Sequence, residues 1–272
     1  MTTEREYILG THDEEIERLG LQHRVWRPRA LDAWRRAGFT VGQTIVDVGS
    51  GPGYATIDLA GIVGPSGRVL ALDRSRRFLD ALRRAARVHG LDDRIDIHEL
   101  DLAESALPAG SADGAWARWV LAFVREPRAL LARIKDVLRP GGVFVSHEYC
   151  DYSTWRLSPR SPELEEFVSI VMESWRADGG EPDIGFELPR WLEELGFEIR
   201  SLTPILDAVR PSSFVWRWPS AFIEVGLARL VSLGRLTEEK ARGIRAAFDS
   251  RERDPSALMI TPAVLEVIAE RK

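Results

Sequence analysis

A chain of 272 residues is long for one ordinary domain and cramped for two, and its 44% hydrophobic and 29% charged residues are those of a folded globular protein, which excludes disordered and fibrous architectures. Lys and Arg number 37 against 42 Asp and Glu, so the net charge of −5 repels a polyphosphate unless the bases are segregated. Cys150 is the one cysteine, which rules out an intrachain disulfide and a multi-cysteine metal site; no metal is expected.

The opening MTTEREYILG carries charges where a leader needs an apolar run, and no stretch is apolar for the length of a membrane span. The expected location is the cytoplasm, with no membrane partner. Thr11 and Glu14 have capping-box spacing and predict a helix over about 12 to 26; Pro28 then opens a second helix that stops at Gly38.

From residue 44, short β-branched runs alternate with helical stretches. TIVDVG, RVLALD, RIDIHELD, DGAWARWV and GVFVSHEY read as strands, apolar on both faces, and their βαβ order predicts a parallel sheet covered by helices on both sides. Within it, Arg74, Arg76, Arg77, Arg83, Arg84 and Arg87 lie along one helix with only Phe78 interleaved; this is a solvated face, and no nucleic-acid partner is expected.

Past Cys150 comes an aromatic segment, then a helix opened by Ser161 and Pro162 whose Leu164, Phe167, Val168, Val171, Met172 and Trp175 form one buried stripe ending at Gly179 and Gly180. A short helix over 189 to 195 and a strand, EIRSLTPIL, follow. Residues 212 to 250 are predicted helical with interruptions at Pro219 and Gly234 and an N-cap at Thr237, and AVLEVIAERK closes the chain as a strand. The expected organisation is one catalytic domain over 1–272: an N-terminal helical lid (1–40), a cofactor-binding core (41–150), a helical substrate cap (151–187 and 211–250), and completion of the sheet (188–210 and 256–272).

The stretch Asp47-Val48-Gly49-Ser50-Gly51-Pro52-Gly53 sits between a strand and a helix, where missing Cβ atoms allow a tight turn and close approach of a ligand. A dinucleotide fingerprint would place its third glycine at 54, which is Tyr54. The next strand ends at Asp73, suited to accept from two ribose hydroxyls, with Arg74 after it as the residue that keeps an NADP reading open. The third runs into Asp101, placed to accept from an exocyclic amine. Acids at three successive strand ends beside glycines point to one adenosyl ligand.

VDVGSGPGY, ALDRS, HELDL, DGAWARWV and LRPGG resemble, in order and spacing, the motifs of the class I S-adenosylmethionine-dependent methyltransferases, particularly the small-molecule branch similar to the ubiquinone and menaquinone enzymes. The resemblance is close over about 44 to 149. It implies a doubly wound α/β fold with a seven-stranded, mostly parallel sheet whose last strand is antiparallel, and an added helical lid. It implies S-adenosylmethionine as cofactor and S-adenosylhomocysteine as product. Asp47 would lie near the cofactor's amino end, Gly49, Ser50, Gly51 and Gly53 against it, Asp73 on the ribose, and Asp101 with the Leu102 amide on the adenine. Arg118 would contribute a backbone contact, and Arg74 stands where relatives have an apolar residue.

Ligands in open α/β sheets lie outside the carboxyl ends of the strands, which directs attention to Arg118 and Trp119 after one strand and to His147, Glu148 and Tyr149 on the next. His147 is the first candidate for a general base, its ordinary pKa suiting neutral pH, although strand alternation also places it inward beside Val143 and Val145. Glu148 is the second candidate. Tyr7, Trp119, Tyr149, Tyr152 and Trp155 are expected to wall an acceptor pocket, while Trp175 and Trp191 read as core. The expected activity is methyl transfer to an oxygen or nitrogen of a small organic acceptor; the rivals are an NAD(P)-dependent oxidoreductase and a non-catalytic cofactor-binding module.

Overall fold

The computed structural model describes residues 13–102 and 112–272. Thr11 of the expected capping box and Tyr7 of the expected acceptor pocket lie outside these. In chain order the elements are α1 (Asp13–Ala37), β1 (Thr44–Val48), α2 (Tyr54–Val63), β2 (Arg68–Asp73), α3 (Arg76–His89), β3 (Ile95–Glu99), β4 (Ala112–Arg118), α4 (Pro127–Val137) and β5 (Leu138–Asp151). There follow β6 (Arg156–Ser158), α5 (Pro162–Ala177), α6 (Leu188–Glu194), β7 (Phe197–Ile205), β8 (Ala208–Val209), α7 (Arg217–Ser232), α8 (Glu238–Glu252), β9 (Leu258–Ile260) and β10 (Ala263–Arg271).

Seven strands form the main sheet in the order β3-β2-β1-β4-β5-β10-β7. The first five pair in parallel, and β10 runs antiparallel to both β5 and β7. The expected fold is therefore present. Its strand order reverses between β1 and β4, and there the adjacent connections leave in opposite directions and open a crevice above the carboxyl ends.

Two expectations are corrected. The first concerns α1, which runs unbroken through Pro28 although a second helix was predicted to open there. Pro28 and Arg24, whose carbonyl loses its helical donor, both lie on the exposed side of α1, so water can take that carbonyl and the break costs less than in a buried helix. The second concerns the cap, which is not purely helical. Alongside α5, α7 and α8 it carries a three-stranded antiparallel sheet, β6-β9-β8, drawn from three distant stretches of chain, each too short to show a period in sequence.

The helix ends follow the sequence. Ser75, Ser161 and Thr237 cap α3, α5 and α8, each accepting from the third amide of its helix. On α3, Phe78, Leu79, Leu82 and Ala86 face the core and Arg76, Arg77, Arg84 and Arg87 are exposed, which is the solvated face expected. Trp175 is buried, though it also lines the cleft described below; Trp191 is only half-buried, with Arg190 over its ring. Among the described residues, no helix is long and apolar enough to cross a membrane.

Candidate active site

Above the β1/β4 crevice lies a cleft enclosing ≈ 780 Å³, open mouth included. Its floor is Asp47, Gly49, Ser50, Gly51 and Pro52; α1 supplies one wall with Arg18, Gln22 and His23; Trp119, Phe123, Tyr149, Trp175 and Phe222 supply an aromatic one.

The turn is held from below. Gly49 and Ser50 donate their amides to the Leu72 carbonyl at 2.8 and 2.9 Å, and Asp73 accepts from the Gly51 and Ser75 amides, both at 2.8 Å. Each Asp73 oxygen keeps a second lone pair. The three glycines all have positive φ, but for different neighbours. A Cβ on Gly49 would come within 2.5 Å of Val120, and one on Gly53 within 2.2 Å of Leu82, whereas at Gly51 it would meet nothing within 4 Å. Gly51 is thus the one of the three that leaves room on the ligand side.

Asp47 ends β1 buried, accepting from the Thr56 hydroxyl at 2.6 Å; burial pushes its carboxyl up to about 6, with Thr56 and the Arg118 charge pulling it down. From α1, Arg18 donates to both oxygens of the buried Glu15 and to Gln22. His23 bridges two elements: its Nε2 is 3.0 Å from Asp58 on α2, and its Nδ1 is 3.1 Å from Arg118 Nη2. A guanidinium can only donate, so Nδ1 accepts and the ring proton sits on Nε2, directed at Asp58. Burial, with the Arg118 charge, holds His23 below its usual range despite Asp58.

Arg118 lies 5.8 Å from the Trp116 ring and 5.3 Å from the Trp119 ring; burial draws its guanidinium down to about 10 against the pull of Asp47. Three cleft-lining residues hold buried polar atoms with no hydrogen-bond partner: Ser50 Oγ, Arg118 Nη1 and Trp119 Nε1. Such atoms cost free energy unless a ligand or water satisfies them.

Both expected bases are elsewhere. Glu148 is fully buried and turned under the loop after β4, accepting from the amides of Val120 and Leu121 at 2.8 and 2.9 Å and of Ala122 at 3.4 Å. Burial lifts its carboxyl to about 7 against those three donors. Its work is to shape the loop that carries Trp119 at φ +52°, an uncommon conformation for so large a residue. His147 is fully buried between Trp26 and Trp116, with Nε2 at 2.9 Å from Glu266 on β10. Its inward alternation prevails.

Of the expected acceptor wall, Trp119 and Tyr149 line the cleft; Tyr152 and Trp155 lie behind it, 1% exposed, Trp155 donating to Met259 Sδ at 3.1 Å. Gly53, Asp73, Arg74, Asp101 and Leu102 are not on the cleft wall. Arg74 is half-buried beside Asp73, and Leu102 is buried with its carbonyl accepting from Arg133. The sequence reading missed Arg18, His23, Tyr54, Phe123 and Phe222. Only the Arg18, Gln22 spacing, one helical turn of polar residues within an apolar stripe, could have signalled them.

Tyr54 bears on the rival cofactor. It opens α2, donates its hydroxyl to the Ile16 carbonyl at 3.0 Å and packs so tightly under α1 that a Cβ at Gly20 would touch it at 2.8 Å. Where a dinucleotide fingerprint has its third glycine, this chain thus places a side chain that lines the cleft. Among the described residues, no group of three or more His, Cys, Asp or Glu could hold a metal ion.

With this geometry, residues 46–146 match the family model described as a methyltransferase domain. That stretch of the chain is similar to a methyltransferase domain. The chain is 28% identical over 127 residues, 47% of itself and 50% of the relative, to a ubiquinone/menaquinone biosynthesis C-methyltransferase of Hahella chejuensis. It is 28% identical over 173 residues, 63% of itself and 58% of the relative, to an O-methyltransferase of Penicillium expansum. It spans only about half the length of such relatives. Geranyl diphosphate C-methyltransferase from Streptomyces coelicolor, solved with Mg2+, geranyl diphosphate and S-adenosylhomocysteine, shares the fold at TM-score 0.58 and 18% identity, over 92% of this chain and 80% of that one.

Proposed function

We propose that the chain transfers a methyl group from S-adenosylmethionine to a small organic acceptor. One observation carries this reading: at the switch point of the sheet, a turn open only at Gly51 is clamped by the strand-end carboxylate of Asp73. Asp73 would accept from the ribose hydroxyls, Asp101 and the Leu102 amide would take the adenine, and Asp47 would face the amino end. The unpartnered Ser50, Arg118 and Trp119 atoms fit a polar ligand in the same cleft. The bound cofactor supplies a methyl already activated on a sulfonium, so the chain's task is to position donor and acceptor and exclude water.

The acceptor side is aromatic and, among the described residues, offers no acid or imidazole that is not already hydrogen-bonded. Asp47 is engaged by Thr56, Glu15 by Arg18, and His23 by Arg118 and Asp58. The proposed acceptor is therefore a flat, largely apolar molecule whose nucleophile needs no protein base: a neutral amine, an acidic hydroxyl or, as the names of the relatives add to the expected oxygen and nitrogen, an electron-rich carbon. In this reading α1 is the lid, 151–187 and 211–250 contribute the cap, and the site of action is the cytoplasm.

Thermal unfolding with S-adenosylhomocysteine or NADPH tests the cofactor. At 100 times its dissociation constant the true ligand stabilises by about 2.7 kcal/mol, and Asp73→Asn is expected to weaken binding by about 1.5–3 kcal/mol, as for a charged hydrogen bond. A shift with NADPH and none with S-adenosylhomocysteine overturns the proposal.

A further inference from the structure

Gln22, on α1, has a donor left to give. It is 8% exposed and lines the cleft, and its Oε1 accepts from Arg18 Nη1 at 2.9 Å. A guanidinium can only donate, so the amide oxygen must face Arg18, and the amide nitrogen with its two hydrogens is turned away from it. Nε2 has no partner among the described residues, yet it is not sealed from solvent as Ser50 Oγ, Arg118 Nη1 and Trp119 Nε1 are, so a molecule in the cleft can reach it.

The amide is fixed from behind. Glu15, Arg18 and Gln22 follow one another along one face of α1. Arg18 Nε and Nη2 each lie 2.7 Å from an oxygen of Glu15, a bidentate pair that holds the guanidinium plane, and that plane holds the Gln22 oxygen. Arg18, Gln22 and Trp26 are spaced four apart, and their stripe looks on the aromatic wall. Trp26 meets Trp119 edge-on at 5.1 Å, and burial pushes the Tyr149 hydroxyl up while the Arg18 charge draws it back. His23 and Arg27 occupy the next stripe and turn to Asp58 on α2.

Resting on the methyltransferase reading, we propose that Gln22 Nε2 donates a hydrogen bond to an oxygen of the acceptor molecule, with Arg18 and Glu15 as positioning residues. The rings of Trp119, Phe123, Trp175 and Phe222 accept any flat apolar body. A donor fixed beside them selects the body that carries a carbonyl or hydroxyl oxygen, because an analogue without one leaves the amide unpaired. An ammonium group in that place would meet N–H donors and the Arg18 charge.

1-Indanone and indane are flat bicyclic probes that differ by a carbonyl in place of a methylene, and the ketone can accept but not donate. Calorimetric titration of each into the full chain saturated with S-adenosylhomocysteine is expected to favour 1-indanone by about three- to tenfold. Gln22→Leu should bring that ratio to about one. Gln22→Glu, which keeps the length and the bond from Arg18 but has no donor, should bring it below one. Both variants should keep their affinity for S-adenosylhomocysteine within about twofold, which also shows that they fold. Glu15→Leu combined with Arg18→Met removes the pair that aims the amide and should lower the ratio while leaving indane affinity unchanged. Binding of neither probe, no preference in the unmutated chain, or the same preference in Gln22→Leu overturns the assignment and leaves the methyltransferase reading standing. So does a loss of S-adenosylhomocysteine affinity in Gln22→Leu with the ratio retained, which would give Gln22 to the cofactor. Failure of the unmutated chain to bind S-adenosylhomocysteine overturns both.

Discussion

Gly51 and Gly53 stand two residues apart in one turn, at φ +54° and +88°, yet an added methyl meets open cleft at the first and Leu82 at the second. The two alanine variants are expected to fail differently. Gly53→Ala combines a left-handed alanine with overpacking against a leucine on α3, a loss of about 2–5 kcal/mol in stability. Gly51→Ala bears only the backbone penalty, about 1–2 kcal/mol, but places its methyl where the ligand passes. Urea unfolding and S-adenosylhomocysteine titration separate them: Gly51→Ala should lose the larger factor in affinity and Gly53→Ala the larger stability. The reverse ranking would show that the turn's ligand face has been misassigned. The sequence made this turn legible as a unit, because strand, glycines and helix adjoin. Which glycine serves packing was not legible, since Leu82 and Val120 reach the turn from distant parts of the chain. The same limit explains Glu148, whose position after an apolar strand resembles that of a catalytic acid until its three amide donors are seen.

Two elements are tied into the molecule by buried imidazoles: α1 through His23 to Asp58 on α2, and β5 through His147 to Glu266 on β10. Burial lowers both below the ordinary 6.5. Each therefore binds its proton more readily in the unfolded chain than in the folded one, so each subtracts stability as pH falls below about 6.5 and has no effect above it. Asp47 and Glu148, raised to about 6 and about 7, act in the opposite sense and stabilise the fold as pH falls through those values. The difference between two proteins isolates one group. His147→Gln retains a donor for Glu266 and cannot titrate, so the stability advantage of the unmutated chain should be greater at pH 7.5 than at pH 5, by up to about 1.4 kcal/mol for each pH unit below 6.5. Denaturant unfolding at the two pH values measures it, and an equal advantage at both would remove His147 from this role. Turnover in the same variant should keep its pH profile, as expected of a residue that lies behind the cleft wall and not on it. The strands themselves were legible because parallel strands are apolar on both faces. The course of α1 through Pro28 was not, because the sequence shows the missing amide and not the solvent that replaces it.

The whole molecule is joined across its two layers by one aromatic assembly. Trp218 on α7 of the cap stacks on Trp119 after β4 at 5.6 Å and 18°, lies nearly parallel to Tyr149 on β5 at 6.3 Å and 4°, and meets Trp26 on α1 edge-on at 4.9 Å. A single side chain of the cap thus touches the sheet, the loop that closes the cleft and the helix above it. Aromatic contacts of this kind add about 0.5–1.5 kcal/mol each beyond the area they bury, and they are made to three separate elements. The cap is accordingly expected to unfold with the core and not as a unit of its own: near-ultraviolet circular dichroism, dominated by these rings, and far-ultraviolet circular dichroism, dominated by the helices, should report one transition. Trp218→Ala removes the shared ring and leaves a cavity, a loss of about 3–5 kcal/mol, and with the bridge gone the aromatic signal should be lost at a lower temperature than the helical one. If the variant instead melts at an unchanged temperature in a single step, the cap is held by α5 and the small β6-β9-β8 sheet, and the stack serves the acceptor wall alone.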